Sequence, residues 1–189
     1  MRPVTAHAAR KLDDLFRAHE RRVLAFALRR TASPADAEDA AAETFAIAWR
    51  KIDRVPNDAL PWLLAVARRV IANQRRGGQR RAWLFQKLGR QSAAAPAPLA
   101  QGDSADSPAL AALARLRPDD QELLRLVAWD ELDQRAIGQV LGISVNAVAI
   151  RLYRARKRFK DEFVKDPGGV RTSTEAKGAI NGALQERVE

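Results

Sequence analysis

The chain has 189 residues, 47% of them hydrophobic, with no cysteine and a formal net charge of +10 at pH 7. This length and composition allow one folded domain or two small ones. The lack of cysteine excludes disulfides, a thiol nucleophile and zinc-thiolate sites, whereas the charge predicts an extended polyanion as partner.

Nothing in the sequence predicts a membrane segment or a metal centre. No stretch approaches the roughly 20 apolar residues of a membrane span, and the opening "MRPVTAHAARKLDD" lacks the apolar core of a secretory signal. His7 and His19 are too few for a metal cluster, so we expect no metal or cofactor. These observations favour a cytoplasmic protein without membrane insertion.

Helical periodicity dominates the chain from its first apolar segment onward, and no segment alternates as a strand does. The first apolar stripe consists of Leu12, Leu15, Phe16, His19, Val23 and Phe26. We therefore predict an all-α protein with two small helical domains, residues 8–90 and 109–164. Residues 91–108, rich in Ala, Pro, Ser and Asp, form the predicted flexible linker, and residues 165–189 are predicted to be a disordered tail.

The segment "TASPADAEDAAAETFAIAWRKI" predicts the second helix and gives it an acidic outer face. Ser33 is a suitable cap, Pro34 suits the first helical position, and Asp36 follows three residues after the cap. At helical spacing, the outward residues are Asp36, Asp39, Glu43 and Ile47.

The helix dipole explains acidic residues in the first turn, but it does not explain Glu43 or Ile47. An acidic stripe that ends in an aliphatic residue, on a basic protein, favours a docking face for a basic protein partner. A metal site is the alternative. It lacks a second carboxylate cluster, a histidine or a glycine-rich phosphate loop to complete it.

The next helix, "PWLLAVARRVIANQRR", has an outward face on which small residues alternate with arginines. Its outward residues are Ala65, Arg68, Arg69, Ala72, Arg75 and Arg76, and Arg80 adds charge further along. Such a face suits a phosphate backbone, and Asn73 can hydrogen-bond to exposed bases. Trp62 either stacks on a base or packs in the core. Gly77 and Gly78 are predicted to end this helix.

"AIGQVLGISVNAVAIRLYRARKRF" has the spacing of a helix-turn-helix, with Gly142 in the turn and Ser144 as cap of the second helix. At 100° per residue, the predicted buried side consists of Val145, Val148, Leu152, Ala155 and Phe159. The opposite side consists of Asn146, Ile150, Tyr153, Arg154 and Lys157, flanked by Arg151, Arg156 and Arg158.

This second helix is predicted to lie in a major groove, with cations placed for phosphates along its edges. Ile150 is suited to a thymine methyl group and Asn146 to an adenine. The alternative is a solvated basic helix in which Ile150 lies beneath a neighbouring side chain.

The order of "DAEDAAAETFAIAWR", "PWLLAVARRVIANQRR", a proline-containing tether and "LARLRPDDQELLRLVAWDELDQRAIGQVLGISVNAVAIRLYRARKRF" resembles the two-domain extracytoplasmic-function sigma factors of bacteria. The resemblance covers about residues 10 to 163. It implies a non-enzymatic, dissociable subunit of RNA polymerase that directs initiation at particular promoters. No small-molecule substrate is implied, and an anti-sigma factor is a further expected type of partner.

The resemblance also assigns surfaces. Asp36, Asp39 and Glu43 would dock on the clamp helices of the largest polymerase subunit, and the second domain on the flap of the second-largest subunit. The melted minus-ten strand would contact Asn57, Asp58, Trp62, Arg68, Arg69, Asn73, Arg75, Arg76 and Arg80. The minus-thirty-five duplex would contact Ser144, Asn146, Ala149, Ile150, Arg151, Tyr153, Arg154, Lys157 and Arg158.

The chain departs from the family pattern at three positions. Ala42 stands where a glutamine is usual, and Ala149 and Ile150 stand where a basic residue and a small hydroxyl are usual. The family's promoter preference is therefore not transferred to this chain. Two rival functions remain: a stand-alone helix-turn-helix regulator, which predicts tight duplex binding without polymerase, and a nucleic-acid hydrolase, which predicts metal-dependent cleavage.

Overall fold

The structure, a computed structural model, describes residues 6–87 and 107–165. Across these ranges the elements are α1 (Ala6–Leu28), α2 (Pro34–Arg50), a short 3-10 helix (Ile52–Arg54), α3 (Ala59–Lys87), α4 (Pro108–Arg115), α5 (Pro118–Ala128), α6 (Gln134–Leu141) and α7 (Val145–Val164). No strand occurs in these two ranges, so the prediction of an all-α protein is confirmed.

The chain divides into two compact units, residues 1–100 (unit 1) and 101–189 (unit 2). Unit 1 contains α1 to α3, and unit 2 contains α4 to α7. The predicted linker falls outside the described residues except for positions 107 and 108, where α4 begins. The tail from residue 166 onward is likewise outside them.

Unit 1 is built on the mutual packing of α1, α2 and α3. Val23, Phe26, Leu63 and Leu64 are fully buried between them. Thr44, also buried, satisfies its hydroxyl within α2 by donating to the carbonyl of Ala40 at 2.7 Å. A polar group can therefore lie in this core without leaving an unmade hydrogen bond.

The first turn of α2 forms as predicted from its sequence. Ser33 Oγ accepts a hydrogen bond from the backbone N–H of Asp36 at 3.1 Å, and the Ser33 hydroxyl donates to Asp36 Oδ2 at 2.7 Å. Pro34 occupies the first helical position. The cap, the proline and the acidic residue thus fix where the helix begins.

Two sequence expectations for unit 1 are wrong. Phe16, predicted to be buried in the stripe of α1, is exposed, because it lies at the rim of the unit with its ring edge-to-face on Phe45, 4.9 Å between centroids. Gly77 and Gly78 do not end α3, which runs on to Lys87. A helical glycine loses only about 1 kcal/mol relative to alanine and keeps its backbone hydrogen bond, so the helix tolerates both.

Unit 2 packs α4, α5 and α6 against α7, with Leu126, Ile137 and Val148 fully buried. The carboxylate of Asp120, at the start of α5, is also buried. It accepts two hydrogen bonds from Arg158 Nη1 on α7, at 2.9 and 3.1 Å, and one from Arg117 Nε at 3.1 Å. This cluster fixes the N-terminus of α5 against the second half of α7.

The helix-turn-helix is formed by α6, a turn at Gly142 and α7, with a bend of 100° between the helices. Asp133 caps α6, and Ser144 caps α7 by accepting from the N–H of Ala147 at 3.2 Å. Gly142 has φ 69°, and the N–H of Ile143 bonds the carbonyl of Gly138 at 3.0 Å. The left-handed turn closes the last turn of α6 and redirects the chain into α7.

Two residues predicted to lie on the buried side of α7 are not buried. Val145, the first residue of α7, is 47% exposed, and Phe159 is half-buried. Val145 lies at the edge of the buried sector of the helix. Val148, Leu152 and Ala155 are buried as predicted.

Candidate nucleic-acid and protein interfaces

The acidic face of α2, composed of Asp36, Asp39 and Glu43, is exposed, but its three carboxylates are held differently. Asp36 belongs to the cap of α2. Glu43 Oε1 accepts a hydrogen bond from Arg50 Nη2 at 2.9 Å, with both side chains more than half exposed. The side chain of Asp39 makes no hydrogen bond or ion pair within residues 6–87, so it is the carboxylate of the three most open to a partner.

An apolar groove of about 490 Å³ borders this face, between α1 and α2. Its walls include Leu12, Phe16, Phe45 and Trp49, and Ala46 lies one turn beyond Glu43 on α2. Ile47 was predicted to be exposed, but it is half-buried. Sequence periodicity missed the groove because helical spacing placed Phe16 in the apolar stripe of α1 but could not show that this side of the stripe is open.

The arginine face of α3 consists of Arg68, Arg69, Arg75 and Arg76. All four side chains are exposed, with Ala65 and Ala72 half-buried between them. Two of the four are already held: Arg75 Nη2 donates to the carbonyl of Arg30, just after the end of α1, and Arg76 Nη2 donates to Asn73 Oδ1 at 2.5 Å. The helix therefore presents cations whose positions are partly set by its own unit.

The loop before α3 carries Asn57 and Asp58, and both side chains are exposed. Lys11 of α1 donates to the carbonyl of Val55 at 3.5 Å, which ties α1 to the start of this loop. Asp58 also lies within electrostatic reach of His19: burial and Arg22 lower the pKa of His19, and Asp58 opposes the shift. The loop is thus braced by α1 beside the start of α3.

Trp62 is half-buried on the first turn of α3, so its indole has both a packed and an accessible part. Arg80 is exposed about three turns further along than Arg69, on the same continuous helix. Because α3 does not break at the glycines, Arg80 extends the cationic helix instead of starting a separate segment.

The outward face of α7, called the reading face after its predicted role, consists of Asn146, Ile150, Tyr153, Arg154 and Lys157, all exposed as predicted. Ile150 is 44% exposed and Tyr153 is 72% exposed. Ile150 is therefore not fully covered by a neighbouring side chain, and a solvated basic helix remains the alternative to a helix that binds in a groove. Ser144 serves as the cap of α7, and Ala149 is half-buried beside the face.

The flanking arginines of α7 differ from one another. Arg151 is exposed, whereas Arg158 is half-buried and paired with Asp120. The role of Asp120 was missed from sequence, since an acidic residue in the first turn of a helix is already explained by the helix dipole. Only the fold brings Asp120 to Arg158, 38 positions away.

Within residues 6–87 and 107–165 no group of three or more His, Asp or Glu residues is arranged to hold a metal ion. In the same ranges no helix by itself is long and apolar enough to cross a membrane. The pair α6 and α7 satisfies the length and composition only when counted together across its bend.

Two family descriptions match the chain over these elements. Sigma-70 region 2 matches residues 15–81, which include the acidic face and the whole arginine face with its loop. Sigma-70, region 4, matches residues 108–159, which include the helix-turn-helix and the reading face.

Two curated relatives resemble the chain over most of its length. The probable RNA polymerase sigma factor RfaY of Xanthomonas campestris pv. campestris is 29% identical over 168 residues, 85% of this chain and 41% of RfaY. The ECF RNA polymerase sigma factor SigE of Mycolicibacterium smegmatis is 28% identical over 158 residues, 81% of this chain and 62% of SigE. The chain thus spans less than two thirds of the length of either relative.

Among solved structures, the fold resembles that of the sigma factor RpoE in its complex with the anti-sigma factor NepR from Bartonella quintana. The TM-score is 0.57 at 22% identity, and the match covers 82% of this chain and 97% of RpoE. This likeness supports the two-unit helical fold.

Proposed function

Since the chain belongs to the sigma-70 family, in its extracytoplasmic-function class, we propose that it binds core RNA polymerase and directs promoter recognition, promoter melting and transcription initiation. One observation carries this proposal. The chain presents an exposed acidic face on α2 in unit 1, and a cationic face in each unit, on α3 and on α7. A basic surface of a polymerase subunit suits the acidic face, and negatively charged promoter DNA suits the cationic faces.

The acidic face of α2 is the proposed contact with the clamp helices of the largest polymerase subunit. Asp39 is open and Glu43 is engaged only by the exposed Arg50, so both are available to a basic helix. The apolar groove on the α1 side adds area that a helical partner can bury next to the charges. Asp36 contributes mainly by capping α2. A second contact, between unit 2 and the flap of the second-largest subunit, belongs to the same proposal.

The arginine face of α3, with the loop before it, is the proposed binding surface for the melted minus-ten strand. Small side chains between the arginines let a phosphate backbone approach closely, and guanidiniums bind phosphates through paired hydrogen bonds. Trp62 and Asn57 are the candidates for contact with an unstacked base. The residues of this proposed surface are Asn57, Asp58, Trp62, Arg68, Arg69, Asn73, Arg75, Arg76 and Arg80.

Melting in this proposal needs no catalytic step by the chain itself. Unstacking a base requires a few kcal/mol, and a protein supplies it by binding the open form more tightly than the closed form. Arg75 and Arg76 are already held by groups of unit 1, so they lose little conformational freedom when they bind a strand.

The reading face of α7 is the proposed contact with the minus-thirty-five duplex. The N-terminal half of such a helix meets base edges while flanking cations meet phosphates. Arg151, Arg154 and Lys157 are exposed for phosphate contact, whereas Arg158 stabilises unit 2 through Asp120. Because both units belong to one chain, binding by either raises the local concentration of the other at the promoter.

The proposed place of action is the cytoplasm, where the bacterial polymerase and chromosome are found. An anti-sigma factor is a candidate regulator, because a protein of the same fold, RpoE of Bartonella quintana, was solved in complex with one.

The test is transcription in vitro with the purified full chain, bacterial core polymerase and a library of genomic fragments. We expect transcripts with discrete start sites that depend on the chain. No chain-dependent start, under conditions where a control sigma factor works, contradicts the proposal. Tight binding to a duplex without polymerase would favour the stand-alone regulator instead, and metal-dependent cleavage of the template would favour the hydrolase.

Matched variants test the acidic face. Asp39→Asn combined with Glu43→Gln is expected to weaken binding to core polymerase about tenfold or more, since two charged contacts at a protein interface are removed. Asp14→Asn removes an exposed carboxylate on α1, which is not part of the acidic face, and serves as the control. Equal binding by the double variant and the control would exclude the acidic face as the docking site.

A further inference from the structure

The N-terminal half of α7 exposes more apolar surface than its cationic surroundings suggest. Val145 and Ile150 are each nearly half exposed, and Tyr153 is more exposed still. Ile150 lies among Arg151, Arg154 and Lys157, which are all exposed. Unit 2 therefore exposes an aliphatic side chain, Ile150, to water among cations.

An exposed aliphatic side chain among cations limits the kinds of partner that can bind this face of α7. An apolar protein groove that buried Ile150 would also take the neighbouring cations out of water, which is unfavourable without matching anions. A DNA major groove offers both chemistries at once: phosphates on its two edges and, at every A·T pair, a thymine methyl group on its floor. The same ligand then provides an apolar contact for Ile150 and anionic partners for the cations.

The spacing of α7 sets the distance between the bases that are read. Asn146 and Ile150 lie four residues apart on the same face, so their side chains are separated by about 6 Å along the helix axis. Base pairs follow one another at about 3.4 Å. A base read by Asn146 and a base read by Ile150 therefore lie within about two base-pair steps.

The side chains select the two bases. The amide of asparagine matches the donor and acceptor of adenine in the major groove, and it pairs bidentately with no other base. An isoleucine has no hydrogen-bonding group and gains only from an apolar contact, which in the groove is the thymine C5-methyl. The half-buried Ala149 between them adds little bulk, which leaves room for a close approach.

We propose that the duplex element recognised by this chain contains a thymine whose methyl group packs on Ile150, and an adenine bound by Asn146 within about two base-pair steps of it. This specificity rests on the proposed function of α7 as the reader of the minus-thirty-five element. It makes Ile150 a specificity-determining residue at a position where the family usually has a small hydroxyl.

The test begins with selection from a duplex pool that carries a randomised segment, using the full chain alone and bound to core polymerase. Each thymine of the selected duplex is then replaced, one at a time, by deoxyuridine, which lacks only the methyl group. We expect one replacement to weaken binding about fourfold, the effect of one buried carbon. The variant Ile150→Ser is expected to bind the thymine and deoxyuridine duplexes equally.

Val164→Ser is the matched control. It makes the same kind of apolar-to-hydroxyl change at an exposed position of α7, 14 residues beyond Ile150. It is expected to keep the wild-type preference for thymine over deoxyuridine. Circular dichroism of all three proteins verifies that the helices remain folded.

The outcomes distinguish a failure of the proposed base specificity from a failure of the proposed sigma-factor function. Selection of a distinct duplex whose binding ignores every deoxyuridine replacement overturns the thymine contact and leaves the sigma-factor function in place. A methyl preference that persists in Ile150→Ser overturns the assignment to Ile150. Failure to select any duplex, with or without polymerase, overturns the duplex-reading function together with the inference.

Discussion

The cationic helices of the two units prepare their side chains in different ways. On α3, Arg75 and Arg76 donate to groups of unit 1 before any partner arrives. On α7, Arg154 and Lys157 are exposed and have no hydrogen bond or ion pair within the described part of the chain. In the proposed function, the prepositioned arginines of α3 suit a melted strand with an irregular backbone, whereas the exposed, unpaired cations of α7 suit a regular duplex.

The two units also differ in where their backbones make tight turns. The residues with positive φ in the described ranges are Glu131 and Gly142, and both belong to unit 2. Unit 1 instead runs one long helix through Gly77 and Gly78. In unit 2, tight turns therefore set the direction of α7. In unit 1, side-chain contacts set the positions of the arginines.

The largest expected effect tests the packing at the turn of unit 2. A Cβ atom at Gly138 would lie 2.8 Å from the carbonyl oxygen of Ile143, whose backbone cannot move away without opening the turn. Gly138→Val is expected to destabilise unit 2 by about 3 kcal/mol. Hydrogen exchange followed by mass spectrometry, read on peptides from α6 and α7, measures the change without interference from unit 1.

Gly77→Val is the control for that substitution, because a Cβ atom at Gly77 meets nothing within 4 Å. Its effect on unit 1 is expected to stay within about half a kcal/mol, since valine is a slightly better helix former than glycine. If both variants were equally harmless, the turn of unit 2 would be far more adaptable than its geometry indicates.

The next effect tests the cluster that holds the second half of α7. Asp120→Asn removes the charge that binds Arg158 and Arg117, and we expect the free energy of unfolding of unit 2 to fall by about 2 kcal/mol. This value is below that of a fully buried pair because the guanidinium of Arg158 is part-exposed. Urea denaturation, followed by exchange in α5 and α7, gives the measurement.

Asp119→Asn provides the comparison, since Asp119 is exposed in the same first turn of α5 and interacts equally with the helix dipole. Its effect is expected to be no more than about half a kcal/mol. A similar loss from both variants would mean that the dipole, and not the ion pair with Arg158, stabilises this end of unit 2.

Much of this architecture could be predicted from the sequence, because it depends on local signals. Ser33 and Pro34 start α2, and Gly142 with Ser144 forms the turn into α7, through contacts within four residues along the chain. The outward direction of Ile150 followed from helical spacing alone. The caps and the outward orientation of these residues of α7 were therefore predicted correctly.

The errors arose where tertiary packing decides. Gly77 was expected to end α3, but a glycine ends a helix only when the chain turns into the left-handed region, as at Gly142. Phe16 has the spacing of a core residue and yet lies at the rim of a groove. The partner of Asp120 lies 38 residues away, so no local pattern contains it.

The contrast between unpaired cations and cations held by a partner can also be tested within α7. Arg154→Ala is expected to flatten the salt dependence of duplex binding by about one unit of slope, because one phosphate contact is lost. Lys165→Ala removes a cation that is paired with Glu162 at the end of the same helix, and its slope is expected to match the wild type. Duplex affinity measured over a series of salt concentrations decides between them.

An unchanged slope for Arg154→Ala would remove Arg154 from the phosphate contacts. Equal flattening by Lys165→Ala would show that the general charge of unit 2, and not its reading face, attracts the duplex. Either outcome weakens the distinction between the cations of α7 and those of α3.

The smallest expected effects concern the two left-handed residues of unit 2. Glu131 adopts φ 52°, a region where a side chain is disfavoured and glycine is not. Glu131→Gly is therefore expected to stabilise unit 2 by about half a kcal/mol, and Gly142→Ala to destabilise it by about 1 kcal/mol, since φ there is 69°. The two substitutions change the same backbone property in opposite directions, so thermal unfolding of both variants should give shifts of opposite sign. Two losses of stability would mean that the side chain of Glu131 contributes more through its interactions than its backbone strain removes.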